Sequence, residues 1–307
     1  QRITRGRFEY PVISPEAIRN ALRDMLATYG LECNRERLHD EDQPAVKFES
    51  YPYPERWIDD FVFGYLVADR KLVKSERQFA FKRDTTLRVN LAVALEPYRH
   101  DALLKQSPKA VNSPWQNAPT AQLLHGEIAY TAYQYPFAVN LADWHLDDAD
   151  LPVEGVHRRD GGLYATRGDQ YADWLRYLFR AISELTGVAG NHARSLFFME
   201  PASIVARVTD RLAPGHDLYP FCSDGSLPEV VDGILKGDYP GTEFIVGGNI
   251  VKDEKLLPAD KQARLVGAGT TLYRTPSQAL DAVARRTTGD GFLPEAARPV
   301  SPQSEVS

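Results

Sequence analysis

Apolar residues fall into helical and strand-like periods at a few separated places along the chain. Ile18, Ala21, Leu22, Met25 and Leu26 recur at three- and four-residue steps between Ser14-Pro15-Glu16 and Gly30. Ser14 can cap the free N–H groups of a first turn, Pro15 suits the first helical position and Gly30 suits a helix end, so the spacing predicts a helix here. Asp169–Thr186 is the clearest helix: Tyr171, Trp174, Leu175, Leu178, Ile182 and Leu185 keep the same step, Asp169 can cap it and Gly187 can end it. A short helix is expected over 276–286. The 203–209 stretch alternates like a strand, 243–247 is another, and Gln122–Leu141 predicts one long strand or a hairpin bent at Pro136.

Between these periodic regions the pattern breaks. Residues 34–42 are densely charged and read as exposed. Residues 44–67 mix Pro44, Pro52 and Pro54 with seven aromatics and close into Phe61–Val67 as a strand or short helix. From about 70 to 120 the chain is basic and rich in turn formers. Residues 32–120 are therefore expected to be excursions from a core. Helices and strands interleave without a repeating β–α unit, which favours an α+β fold with long insertions over a doubly wound one. The expected organisation is one domain over 1–294, with its core in about 1–31 and 120–294, followed by a Pro- and Ser-rich flexible tail at 295–307.

Composition supports a globular reading, since 307 residues at 43% hydrophobic and 25% charged can bury a substantial core. Nothing resembles a membrane span or a signal peptide, so a soluble protein with no membrane partner is expected. Two cysteines, Cys33 and Cys222, are too few and too far apart for a disulfide framework, and a reducing cytoplasm fits them. The net charge of −6 hides a division along the chain. Residues 1–23 carry five arginines against two glutamates, a net +3, and residues 70–109 carry ten Lys/Arg against four acids, a net +6, which leaves −15 on everything else. Two basic patches on an acidic body are compatible with one directed polyanion site.

Candidate chemistry concentrates in three segments. Arg2, Arg5 and Arg7 stud a loop that feeds the first helix, where Arg19 and Arg23, four apart, share a face. Guanidinium forks beside the free N–H groups of a helix start suit a phosphate chain, while the plainer reading is a solvated arginine face. Residues 79–90 interleave Phe79 and Phe81 with Lys82, Arg83 and Arg88, a pairing that stacks bases while holding phosphates, although a hairpin with one polar face would look the same. Residues 187–194 form a small-residue turn in which Asn191, His192 and Arg194 could close on a sugar-phosphate chain, or merely end a helix. The sequence lacks a glycine-rich nucleotide loop, a His-Glu-x-x-His pair and a nucleophile elbow. His145 among Asp147, Asp148 and Asp150 reads as solvated surface, so neither metal nor cofactor is called for and no catalytic residue is assigned.

Several segments together carry a resemblance. Arg5-Gly6-Arg7-Phe8-Glu9-Tyr10-Pro11-Val12-Ile13-Ser14 before a helix with paired arginines, Asp59-Asp60-Phe61-Val62-Phe63-Gly64-Tyr65, Lys82-Arg83-Asp84 with Leu87-Arg88-Val89-Asn90, Leu95-Glu96-Pro97-Tyr98, Tyr133-Gln134-Tyr135-Pro136-Phe137-Ala138 and Gly190-Asn191-His192-Ala193-Arg194 occur in consistent order over roughly 1–210. In this order they resemble the DevR-type, type I-B-like branch of the Cas seven family, the backbone subunits of type I Cascade. The resemblance implies an RRM-like (ferredoxin-like) core with large finger and thumb insertions. It also implies a subunit without enzymatic activity that lines up with copies of itself along a CRISPR guide RNA and presents it to target DNA, beside Cas five, Cas eight, Cas six and small-subunit partners. The RNA-binding set it implies is Arg5, Arg7, Ser14, Arg19, Arg23, Lys82, Arg83, Arg88, Asn191, His192 and Arg194. It further implies a core strand ahead of the basic loop, so the chain, which opens at Gln1 with that loop, is expected to lack its first strand. Two alternatives stay open: an RNA-cleaving member of the superfamily using Asp84, and a developmental or transcriptional regulator.

Overall fold

The arginine-rich stretch expected as a loop is a hairpin. Strand β1 (Arg2–Arg5) pairs antiparallel with β2 (Phe8–Ile13) across a two-residue turn in which Gly6 takes φ 62°, a conformation open to glycine at little cost. Alternation of Phe8, Tyr10 and Val12 is the period of a strand, and it underlies this outcome. β2 runs through Ser14 into α1 (Pro15–Thr28), whose first turn is capped as expected: the Ser14 hydroxyl accepts from the Ala17 N–H at 3.3 Å. The computed structural model describes residues 1–38, 45–76, 80–107, 122–127, 129–144, 168–188, 198–211, 213 and 215–293.

After α1 come β3 (Arg35–Leu38) and β4 (Ala45–Phe48), which form a separate two-stranded ladder. Helix α2 (Ile58–Phe63) follows, then β5 (Tyr65–Leu66), α3 (Arg70–Ser75) and β6 (Lys82–Arg83), with β6 returning to pair with β5. Next come β7 (Leu87–Val89), β8 (Ala92–Ala94) and a second long ladder of β9 (Ala102–Ser107) with β10 (Gln122–Glu127). The segment 122–141 is not one strand: β10, β11 (Tyr133–Gln134) and β12 (Phe137–Val139) belong to three different sheets, with exposed Tyr130 and the break at Pro136 between them.

A four-stranded antiparallel sheet runs β1-β2-β8-β11. Ile13, Ala92 and Tyr133 lie on its inner face, against a core built from α1, α2, β7 and α4 (Gly168–Ser183). The stretch expected as excursions thus supplies core: Ile58, Phe61, Val62, Ala80, Leu87 and Ala92 are all fully buried. Helix α2 shows no amphipathic period because every one of its residues is buried. The long helix begins at Gly168, so Asp169 stands inside its first turn instead of capping it.

The C-terminal third forms a three-stranded sheet, β13 (Ser203–Arg207) antiparallel to β14 (Phe244–Gly248) and β14 parallel to β15 (Thr271–Tyr273). Helix α5 (Pro228–Lys236) precedes β14, α6 (Asn249–Lys252) and α7 (Ala259–Gly267) make the parallel crossover, and α8 (Pro276–Thr288) closes the unit. This sheet is covered on both faces. Ile204, Ile245 and Tyr273 face the first core, whereas Phe244, Val246 and Leu272 face a second core made with α5, α6 and α7. Two-sided burial explains the unbroken apolar run Phe244-Ile245-Val246. Cys33 and Cys222 are both free thiols, and no described helix is long and apolar enough to cross a membrane.

Helix α8 approaches β14 closely over Gly247, where a Cβ would lie 2.6 Å from the Ala279 Cβ and 2.9 Å from the Thr275 carbonyl oxygen. Gly247→Ala is therefore expected to lower unfolding free energy by roughly 1–3 kcal/mol, read as a lower denaturant midpoint at constant slope.

Candidate nucleic-acid interface

The hairpin turn carries two open cations. Arg5 and Arg7 flank Gly6, are exposed, and have no ion-pair partner among the described residues. The Arg5 guanidinium carbon stands 5.0 Å from the centre of the Tyr219 ring, and that of Arg7 stands 5.3 Å from the centre of Phe8. Arg2 is more occupied, lying 3.6 Å over the Tyr98 ring and pairing with Glu9 at 3.0 Å. The six residues of β2 separate this turn from the Ser14 cap, a distance of roughly 20 Å at strand rise. The N-terminal cations, adjacent in sequence, are thus strung along a line and do not form one cluster.

Arg19 and Arg23 part company on α1. Arg19 remains at the surface, about a quarter exposed, with Glu16 at 3.4 Å, and its buried Nε makes no hydrogen bond among the described residues. Arg23 is 6% exposed. Its Nε stands 3.2 Å from the Asp59 carboxylate, its Nη1 donates to Asn20 at 2.7 Å, and its guanidinium lies 4.9 Å from the centre of Phe63. Burial and then the neighbouring Arg35 lower its pKa, while Asp59 opposes them by favouring the charged guanidinium. The expected phosphate fork at Arg23 is an internal one.

Asp59 and Asp60 organise this knot. Asp59 accepts from the backbone N–H of Asn34 at 2.7 Å and of Arg35 at 3.1 Å; Asp60 accepts from the Asn34 side chain at 2.8 Å and from the Tyr53 N–H at 3.0 Å. Arg35 adds a hydrogen bond to the Gly64 carbonyl and lies 4.0 Å from Asp60. Desolvation, then the adjacent Asp59 charge, push the Asp60 carboxyl up to about 7. The Asp59-Asp60-Phe61-Val62-Phe63-Gly64 motif is thus structural: acids at the base of the β3–β4 ladder, aromatics in the core, and a left-handed Gly64 whose Cα carries no Cβ to strike the Arg83 carbonyl.

The second expected segment divides in the same way. Arg83 is buried, with its Nε 3.4 Å from the Phe61 carbonyl and its guanidinium 4.6 Å from the Phe61 ring centre. Lys82 is half-buried, and Arg88 projects to solvent between buried Leu87 and Val89. Phe81 is half-buried, Asp84 is exposed, and Phe79, His145, Asn191, His192 and Arg194 lie outside the described residues. Open cations among the expected set are therefore Arg5, Arg7 and Arg88, with Arg19 and Lys82 partly so; Ser14 is engaged as a cap. The sequence reading missed Tyr98 and Tyr219, which pack under the hairpin arginines, and the strand period at Phe8 and Tyr10 was the signal that a face was being presented.

Removing the Arg23 side chain would strip buried Asp59 of its ion-pair partner, and Arg23→Ala is expected to cost about 3 kcal/mol or more, against roughly 0.5 kcal/mol or less for Arg19→Ala; chemical denaturation distinguishes them. For Asp60, the unfolded carboxyl titrates near 3.8 and the folded one near 7, so between these values the folded state holds a proton that the unfolded state has released. This group makes stability fall as pH rises from about 4 to 7 and adds no further slope above that. The difference between wild type and Asp60→Asn in melting temperature should change across that window and flatten above it.

A curated relative, the CRISPR-associated protein Cas7/Cst2/DevR of Myxococcus xanthus (strain DK1622), is 26% identical over 273 residues, covering 84% of this chain and 80% of the relative. No protein-family model matches the chain. Among solved structures, a chain of a pre-nicking CRISPR RNA-guided surveillance complex aligns with a TM-score of 0.53 at 13% identity, over 94% of this chain and 93% of that one. A chain of another CRISPR RNA-guided surveillance complex gives 0.49 at 14% identity, over 93% and 90%. The first superposition shows a shared fold, of mixed α/β type with antiparallel sheets. The chain is thus similar over most of its length to the Cas7/Cst2/DevR protein of Myxococcus xanthus and shares a fold with a chain of a surveillance complex.

Proposed function

We propose that this protein is a guide-RNA-binding backbone subunit of a CRISPR effector complex, holding RNA by its phosphates and not cleaving it. The observation that carries the reading is the pair of open arginines at the Gly6 turn, without carboxylate partners among the described residues, on a chain of net charge −6. Guanidinium forks fixed on a rigid turn suit repeated phosphates, and phosphate contacts tolerate any sequence. Arg19, Lys82 and Arg88 extend the basic surface, and Asn191, His192 and Arg194 join it on the strength of the resemblance. The homologue's CRISPR association and the shared fold with a surveillance-complex chain support the assignment.

In this reading the four-stranded sheet with α1 and α4 is an RRM-like palm, and the β3–β4 and β9–β10 ladders are the arms that reach from it. Copies of the subunit follow one another along the guide, other Cascade-type subunits bind at its ends, and target DNA pairs with the guide that the filament presents. Reversal of both turn charges, Arg5→Glu with Arg7→Glu, is expected to weaken binding of single-stranded RNA and to flatten the slope of log affinity against log salt by roughly 1–2. Filter binding across a salt series measures both. An unchanged affinity with an unchanged slope would remove the central contact from the proposal.

A further inference from the structure

The outer face of the four-stranded sheet is closed at one end and open at the other. Register places Val12, Val93 and Gln134 together on that face, and alternation along β2 adds Tyr10 and Phe8 to it. Pairing with β1 adds Ile3 opposite Tyr10 and Arg5 opposite Phe8. Over the closed end runs the stretch 219–221, which arrives from the C-terminal third. Gln134 donates to the Phe221 carbonyl at 3.3 Å and accepts from its N–H at 3.2 Å, while the Tyr219 hydroxyl donates to the Leu91 carbonyl at 2.9 Å. Beneath it Val12 and Val93 are 8% and 1% exposed.

The open end is aromatic and cationic at once. Phe8 is 47% exposed with the Arg7 guanidinium 5.3 Å from its ring centre, and Arg5, its cross-strand partner, stands 5.0 Å from the centre of the half-buried Tyr219 ring. A surface for single-stranded nucleic acid sets ring faces among guanidinium groups, which stack bases and hold phosphates together. We infer that this end of the outer face is a base-stacking platform for single-stranded RNA. Phe8 and Tyr219 are the stacking rings, and Arg5 and Arg7 hold the phosphates on either side. The inference rests on the guide-RNA reading, to which it adds a contact with the bases and a residue, Tyr219, contributed from far along the chain.

Stacking and charge leave different signatures, which supplies the test. Binding of a short, unpaired RNA to the full chain is measured across a salt series for wild type, for Phe8→Ala with Tyr219→Ala, and for Phe8→Tyr with Tyr219→Phe. The alanine pair should bind roughly tenfold or more weakly with an unchanged salt slope, because a lost ring removes stacking and no counterion release. The aromatic pair should bind like wild type. RNA containing 4-thiouridine should photocrosslink to peptides holding Phe8 and Tyr219.

Equal weakening in the aromatic pair would overturn the platform, assigning the effect to the lost Tyr219 to Leu91 hydrogen bond. Unchanged affinity in the alanine pair, with the Arg5 and Arg7 reversal still harmful, would overturn the platform and leave phosphate binding standing. Absence of RNA binding by wild type would overturn the reading beneath both. Loss of self-association in RNA-free alanine protein, seen by light scattering, would overturn the platform in favour of a face that docks a second copy.

Discussion

Two adjacent carboxylates cannot sit in a dry interior unless the surrounding chain supplies donors for them, and Asp59 and Asp60 are both fully buried. Their partners come from three other places: the Arg23 charge on α1, the donors of Asn34 and Arg35 at the base of β3, and the Tyr53 N–H on the approach to α2. These contacts tie α1, the foot of the β3–β4 ladder and α2 to one another. With α2 so placed, Ile58, Phe61 and Val62 fill the core, and residues 83–87 wrap its C-terminal end. There the Thr85 and Thr86 hydroxyls donate to the Val62 carbonyl, and the Arg83 guanidinium lies over Phe61. Arg23 is drawn inward by the same requirement.

The C-terminal third is coupled to this arrangement through one sheet. Strand β14 contributes Ile245 to the first core and Phe244 and Val246 to the second, so neither core can be repacked without disturbing the other. At the end of β13 Arg207 pairs with Glu243, and beyond it the His216 ring packs against Tyr239 and Phe244 and the Asp217 N–H reaches Glu229. These contacts anchor the chain that carries Tyr219 and Phe221 onto the outer face of the four-stranded sheet. The position of Tyr219 beside Arg5 is thus set by packing more than two hundred residues away in sequence.

Legibility from sequence followed burial. Helices α1, α4 and α8 are buried on one side, so their apolar period is visible, and Ser14 and Thr275-Pro276 mark the starts of α1 and α8, whereas α4 ends at Ser183, short of the expected Thr186. Helix α2 is buried all round and so shows no period to read. The β1–β2 hairpin is hard to read because Arg2, Arg5, Arg7 and Glu9 interrupt the alternation of Phe8, Tyr10 and Val12. Site residues failed in a related way: Arg5 and Arg23, or Arg88 and Arg83, are the same side chain in composition, and only the knot around Asp59 and the ring of Phe61 tell the structural cations from the open ones. Nothing local in the sequence brings Tyr219 to Arg5.

Net charge is a poor guide to such a protein for a physical reason. At physiological ionic strength the field of a charge decays over about 8 Å, whereas β2 alone spans roughly 20 Å. A phosphate beside the Gly6 turn therefore feels Arg5 and Arg7, and the acidic excess on the rest of the chain is screened from it. Internal pairing sharpens the contrast, because Arg23 is neutralised by Asp59 and Arg2 by Glu9. Cations left open at the turn act locally and strongly, while a polyanion that strays onto the acidic body meets repulsion at close range. An acidic chain can in this way bind a polyanion along one path and refuse it elsewhere.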